Sequence, residues 1–199
     1  MPTVSTHTLA RRAAVALGLA LSFGACKEFT SIDASFANVT GSETLYALNG
    51  SPPGSANALK FFDGIANRAD QGFGYDVAFD IDAAGNVVII PARALATNFS
   101  NPYSVGLQKV AGSFESNITA PKDGFTLDTA IVVGLGQTVI AETHDSGPGG
   151  VCSFSLKGQS YFTKLVVTEI DQARRRITFT FTVNRNCGFR SFALGIPRD

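Results

Sequence analysis

Tryptophan is missing from this chain, methionine occurs only as Met1, and histidine occurs twice, as His7 and His144. Without tryptophan, an aromatic platform for a sugar has to come from the four tyrosines or from exposed phenylalanine. Charge is scarce and balanced, with 16 Lys+Arg against 16 Asp+Glu. Nothing in that balance favours nucleic acid as a partner. The chain has no P-loop, Rossmann glycine pattern, Gly-x-Ser-x-Gly elbow, zinc-ligand spacing or internal repeat. It also lacks a long hydrophobic run: Ala13 to Phe23 is eleven residues. As a helix these would cover about half of a hydrocarbon core of roughly 30 Å, so a permanent transmembrane span is the weaker expectation.

What stands around that run is more informative. Arg11 and Arg12 precede it, and Gly24 and Ala25 lead from it into Cys26. A charged n-region, an apolar h-region and a small-residue cleavage site, in that order, predict a secretory signal peptide over residues 1–25. Phe23-Gly24-Ala25-Cys26 resembles the lipobox of bacterial lipoproteins, with Phe23 where that family usually has Leu. The resemblance implies that Cys26 is acylated with diacylglycerol and becomes the first mature residue. It also implies a protein held at the bacterial cell envelope, on the outer membrane if the cell has one. The alternatives are an ordinary secretory signal cut after Ser22 or Ala25, giving a secreted or periplasmic protein, and a twin-arginine route through Arg11-Arg12.

Once residues 1–25 are removed, 14 basic residues remain, since Arg11 and Arg12 are lost, against 16 acidic ones. The remaining length is enough for one domain with a sizeable core. The full chain's 16 Phe, four Tyr and many Val and Thr suit strands. Residues 26–41 read as lipid anchor and tether, with a short strand near Phe36–Val39, and residues 42–199 as one domain. If Cys26 carries lipid, Cys152 and Cys187 remain to pair in an oxidising compartment, two buried thiols being the alternative.

Two stretches give the strongest folding signals. From Gly74 to Ala92, Tyr75, Val77, Phe79 and Ile81 alternate with Asp76, Ala78, Asp80 and Asp82, and after Ala83-Ala84-Gly85-Asn86 the run Val87–Ile90 returns. The alternation predicts a strand with an acidic, solvated face, and the unbroken return run predicts a strand covered on both sides. From Ser160 to Ile170 and from Arg176 to Val183 a second hairpin is expected, with Ile177, Phe179, Phe181 and Val183 on one face. Further strands are expected at Thr44–Leu48, Val105–Phe114, Phe125–Asp128 and Phe189–Ile196. Ile131–Leu135 and Thr138–Glu142 read as two strands about a glycine turn or as one kinked strand, and Thr97–Ser104 reads as a loop. Residues 56–69 fit either a helix or a hairpin about Asp63-Gly64, and the cost of Gly64 in mid-helix favours the hairpin. The resulting expectation is an all-β protein, an antiparallel two-sheet β-sandwich built from hairpins, with an open barrel as the alternative. In that style the chain resembles small envelope β-sandwich lipoproteins of unknown function.

Candidate chemistry is sparse. Asp80-x-Asp82-x-x-Gly85 has the start of a calcium loop, but Ala84 and Pro91 stand where two essential oxygen ligands belong, so no metal site is expected. His144, within Thr143–Gly150, is the one histidine left after cleavage and the natural place for acid–base chemistry. Its neighbours Asp145 and Ser146 cannot form a triad with it by adjacency alone, and the simpler expectation is that His144 is a polar loop residue. Arg174-Arg175-Arg176 reads as a solvated turn, or as a contact for anionic headgroups or polysaccharide. The asparagine sequons at Asn38, Asn49, Asn98 and Asn117 carry no meaning if the export signal is bacterial. These features point to a non-catalytic structural or interaction lipoprotein with no cofactor, whose partners are the membrane, reached through the lipid, and an envelope protein or polysaccharide. The alternatives are a carbohydrate- or lipid-binding module and, more remotely, a hydrolase using His144 or the pair Asp80 and Asp82.

Overall fold

The computed structural model describes residues 32–72, 74–95 and 103–198. Its strands are β1 (Val39–Tyr46), β2 (Ala58–Lys60), β3 (Ile65–Asn67), β4 (Val77–Ile81), β5 (Val87–Pro91), β6 (Ser104–Lys109), β7 (Thr126–Leu127), β8 (Ile131–Val133), β9 (Thr138–His144), β10 (Ser160–Asp171) and β11 (Arg176–Asn184). They form a six-stranded sheet, β1-β11-β10-β9-β6-β7, and a five-stranded sheet, β3-β2-β4-β5-β8. All the ladders are antiparallel. Neither sheet closes on itself, so the fold is a β-sandwich and not a barrel.

The expected hairpins at 58–67, 77–91 and 160–184 are all present. Their apolar faces meet in one core. Leu165, Val167, Ile177, Phe179 and Phe181 of the larger sheet pack on Leu59, Val77, Phe79, Ile81 and Ile89 of the smaller. Phe79 and Phe179 stack across the interface with centroids 4.8 Å apart. Truncating either ring would open a cavity between the sheets.

Three expectations are corrected. Val87 and Ile89 are buried, but Val88 and Ile90 are only half-buried, so the return strand keeps a partly open outer face. Asp76 and Asp80 are not solvated: Asp76 is fully buried, and Asp80 is mostly buried against Arg175. The segment Phe189–Ile196 forms no strand. It makes one isolated bridge, Thr119 to Ser191, and with residues 110–125 it covers the outer face of the larger sheet over Ile140 and Phe162. Lys164 is buried beneath that cover, donating to the carbonyls of Phe114 (2.7 Å) and Asn117 (3.1 Å). Near the short strand expected at Phe36–Val39, β1 starts at Val39 and the amides of Ser35 and Phe36 donate to Asn186 Oδ1.

β8 and β9 are separate strands about Gly134–Gln137, and they belong to different sheets. That glycine turn carries the chain from one layer to the other. Residues 96–102, most of the expected loop before β6, lie outside the described residues, as do residues 1–31, on which the expected signal peptide and Cys26 fall.

At one end of the sandwich the arginine turn is tied down. Arg174 and Arg176 pair with Asp171, at 3.0 and 3.4 Å. Arg175 reaches the other sheet: its Nη2 donates to Asp80 Oδ1 at 2.9 Å and to the Ile81 carbonyl, and its Nε donates to the Asn49 carbonyl. Replacing Arg175 by alanine is expected to lower stability by about 1 kcal/mol, read from the urea midpoint, because the pair is partly buried and hydrogen-bonded. Lysine should recover only part of this, having no fork to span three acceptors.

Candidate functional site

The polar groups gather at the opposite end, where β10 begins and β9 and β11 finish. β4 joins this end through a break in its own alternation. Tyr75 packs with Ala78 and Ala92 on the outer face of the smaller sheet, so the chain changes phase before Val77 and turns Asp76 into the interior. There Asp76 Oδ2 accepts from the Phe61 amide (2.5 Å) and from the Tyr161 hydroxyl (3.0 Å), a polar tie between the two sheets. Its second oxygen, Oδ1, is buried without a hydrogen-bond partner. Burial pushes the Asp76 carboxyl up to about 7, against the opposing pull of the Phe61 amide, the Tyr161 hydroxyl and Lys60, with Asp145 pushing the same way as burial. Burial and the neighbouring Asp76 likewise hold the Tyr161 phenol well above its usual range. Phe62 closes over the Tyr161 ring edge-on at 5.4 Å.

Asp145 is also buried and acts as a staple. Its amide donates to the Gln159 carbonyl, its carbonyl accepts from Cys152, and its Oδ2 accepts from the Val151 amide at 3.1 Å. Cys152 and Cys187 are joined in a disulfide, with Cα atoms 5.6 Å apart. Behind the bond Gly158 and Gly188 are in backbone contact. Gly188 has φ +81°, and a Cβ there would lie 2.7 Å from the Lys157 carbonyl carbon, so only glycine fits.

His144 is the last residue of β9 and not a free loop residue. It stands between Ser104 and Ser160 in the two ladders. Its Nδ1 lies 3.4 Å from Ser160 Oγ and its Nε2 lies 3.0 Å from Ser146 Oγ. A shallow open groove of about 310 Å³ runs over it, lined also by Leu127 and Glu142. Two hydroxyls orient the ring, and among the described residues no carboxylate is hydrogen-bonded to either nitrogen. A charge-stabilised imidazolium of the triad kind therefore has no orienting acid here.

No family model, curated protein or solved structure matches this chain. Its function has to be argued from its own residues.

The remaining sequence candidates lie elsewhere. Asp80 is engaged by Arg175 and Asn49, and Asp82 caps its own turn by accepting from the Asn86 amide at 2.8 Å. These carboxylates sit at the far end of β4 from Asp76, so they do not meet His144. Among the described residues no group of three or more His, Cys, Asp or Glu is placed to hold a metal. No helix among them is long and apolar enough to cross a membrane.

Sequence reasoning misses Asp76, Tyr161 and the pair Asn184 and Asn186. Asn184 Oδ1 accepts from both the backbone and the side-chain amide of Asn186, while its Nδ2 donates to the carbonyls of Phe189 and Ser191. Asn186 in turn holds the incoming chain. Its Oδ1 accepts from the Ser35 and Phe36 amides at 2.8 and 2.9 Å, and its Nδ2 donates to the Phe36 carbonyl at 2.8 Å. The run Asn184–Gly188 reads as the exit of a hairpin, but nothing local names Phe36 as its partner.

Proposed function

We propose that this protein is a bacterial envelope lipoprotein, fastened to a membrane through acylated Cys26, whose β-sandwich has a non-catalytic structural or interaction role. The order Arg11-Arg12, Ala13–Phe23, Gly24-Ala25-Cys26 carries the proposal. The partition of the three cysteines supports it. Cys152 and Cys187 are bonded to each other, as suits an exported chain, which leaves Cys26 as the one cysteine outside that bond. One acyl chain anchors only marginally, whereas the two or three that the lipobox resemblance implies would hold the protein stably.

The non-catalytic part of the reading rests on His144, which has hydroxyl and not carboxylate partners, and on the engagement of Asp80 and Asp82 in structural contacts. A sugar-binding role has less support. Tyr75 and Tyr161 are buried, Tyr46 and Tyr103 are half-buried, and no tryptophan exists, so a platform would have to come from exposed phenylalanine such as Phe36 or Phe154.

Cell fractionation of a Cys26→Ala variant tests the anchor. The wild-type chain is expected in the membrane fraction and the variant in the soluble fraction or retained as uncleaved precursor. A variant that stays membrane-bound with unchanged processing would overturn the proposal.

A further inference from the structure

The largest exposed apolar side chains of the described domain are concentrated where the chain enters it. Phe154 is 95 % exposed and Leu156 is 91 % exposed, both within the loop closed by Cys152–Cys187. Leu194 is 89 % exposed and lies, with Ile196 and Arg198, on a second shallow groove. Single exposed leucines are ordinary on a protein surface. Two large side chains almost wholly in water, two positions apart on a loop fixed by a crosslink, call for a partner.

The loop is braced on both sides of these groups. The disulfide pins it to Cys187, Cys152 donates to the Asp145 carbonyl, Ser153 Oγ donates to the Gly150 carbonyl, and Gly158 is seated on Gly188. Phe154 and Leu156 are thus displayed on a braced tip.

The position of the entering chain selects the partner. Phe36 is held by Asn186, the residue next to Cys187, and the amide of Asn38 donates to the Gly195 carbonyl. The entry point of the chain is therefore shared by the Phe154 loop and the Leu194 segment. Cys26 precedes Phe36 by ten residues, a reach of at most about 35 Å when fully extended. The other end of β10, a strand of 12 residues, stands about 40 Å further along. A lipid on Cys26 thus bounds the distance of Phe36, and with it the Phe154 end, to about 35 Å from the bilayer, and sets no such bound on the Arg174–Arg176 turn.

Charge agrees with this choice. Residues 32–38, 144–160 and 184–198 contain four cations, Lys157, Arg185, Arg190 and Arg198, and two carboxylates, the exposed Asp33 and the buried Asp145, while Asp199 lies outside the described residues. Lys157 lies over the Phe189 ring and Arg185 over Phe36, so basic groups and aromatic rings alternate at this end, as at a headgroup boundary.

We infer that the disulfide-bearing end of the sandwich is a membrane-contacting surface, with Phe154 and Leu156 entering the interfacial layer of the bilayer that holds Cys26. The inference rests on the anchor proposed above and adds an orientation to it. The domain stands on its β9–β10–β11 end and presents the Arg175 end outward.

Because the chain has no tryptophan, Phe154→Trp in the full-length protein creates a single fluorescent reporter at the tip. Leu135→Trp, on the exposed turn at the other end of β9, is the control. Each variant is expressed with its signal sequence, purified in its mature form and reconstituted into phosphatidylethanolamine–phosphatidylglycerol vesicles, with and without brominated acyl chains. The Phe154→Trp emission is expected to shift to the blue and to be quenched by the brominated lipid, with Leu135→Trp unchanged in both respects. Protein that floats with the vesicles while the indole of the Phe154→Trp variant remains water-exposed would overturn the docking surface and leave the anchor standing. A blue shift without bromine quenching would also overturn it, by assigning the tip to a second protein copy. Wild-type protein that fails to float would overturn the anchor and the orientation together.

Discussion

Replacing Cys152 and Cys187 together by serine is expected to lower the stability of the domain by about 4 kcal/mol, from the chain entropy released when a loop of this size is opened. The bond joins residues 35 apart, spanning the whole of β10 and β11. For a domain of this length the expected fall in Tm is about 8–16 °C. The loss should appear in wild-type protein on adding a reductant, with no further effect of reductant on the double variant. The fold should survive, because Phe79, Phe179, Leu165 and Ile177 bury the sheets against each other without involving the crosslink. The loop from Gly147 to Gly158 should loosen first, with faster amide exchange at Val151 and Cys152, whose amides both donate to Asp145. Equal melting of oxidised and reduced protein would contradict the role given to the disulfide.

Asp76 sets the second large effect. Its carboxyl is pushed from an ordinary value of 3.8 up to about 7 in the folded chain, chiefly by burial. Between those two values the folded state keeps a proton that the unfolded state has lost, so stability falls as pH rises. The slope approaches about 1.4 kcal/mol per pH unit, and the change across the window is about 4 kcal/mol. Asp70 and Asp171 are held below the ordinary value by Arg68 and Arg174, and their stabilising contribution is lost only on the acid side of this window. Asp76→Asn keeps an acceptor for the Phe61 amide and the Tyr161 hydroxyl and has no proton to lose. The variant is expected to match the wild type within about 1 kcal/mol near pH 4 and to exceed it near pH 8. Asp76→Ala strands both donors in the core and should cost about 3 kcal/mol near pH 4, where the wild-type carboxyl is protonated in the fold. Urea unfolding at half-unit intervals of pH measures all three proteins. A wild-type profile rising from pH 4 to 7, or one unaltered by asparagine, would contradict this reading of the buried pair.

Much of this architecture is legible because hairpins are local. Val77–Ile81 with Val87–Pro91, and Ser160–Asp171 with Arg176–Asn184, carry their own alternation and turns, and each strand finds its partner next in sequence. The hairpin about Asp63-Gly64 is legible for the same reason, although its loop spans Phe61–Gly64, with the Gly64 amide donating to the Phe61 carbonyl and Gly64 at φ +66°. What stays hidden depends on distant partners. The patterning from Ile131 to Glu142 shows strands but not that Ile131–Val133 and Thr138–His144 enter different sheets, since that depends on Val87–Ile89 and on Ser160–Val166. Phe189–Ile196 looks like a strand but serves as a cover, because Phe192 finds Ile140 and Phe162 on an outer face that composition cannot locate.

The candidate site is legible only in part. Cysteine counting points to the Cys152–Cys187 bond, and the order of residues around Cys26 makes the anchor an expectation. The alternation Tyr75, Val77, Phe79 looks continuous and would put Asp76 in water. The break in phase arises from Ala92 and Ala78 accepting the Tyr75 ring on the other face. Asn186 carries no local signal, because its partners, Ser35 and Phe36, lie 151 and 150 residues away.

Intact mass and N-terminal peptide mass of the mature protein, purified from a bacterial membrane fraction, test the central claim most directly. The account predicts a chain beginning at Cys26 and carrying a diacylglycerol mass on that cysteine, with Cys152 and Cys187 two hydrogens lighter than free thiols. A mature chain with an unmodified Cys26 thiol, or a full-length chain starting at Met1 with all three cysteines reduced, would contradict it.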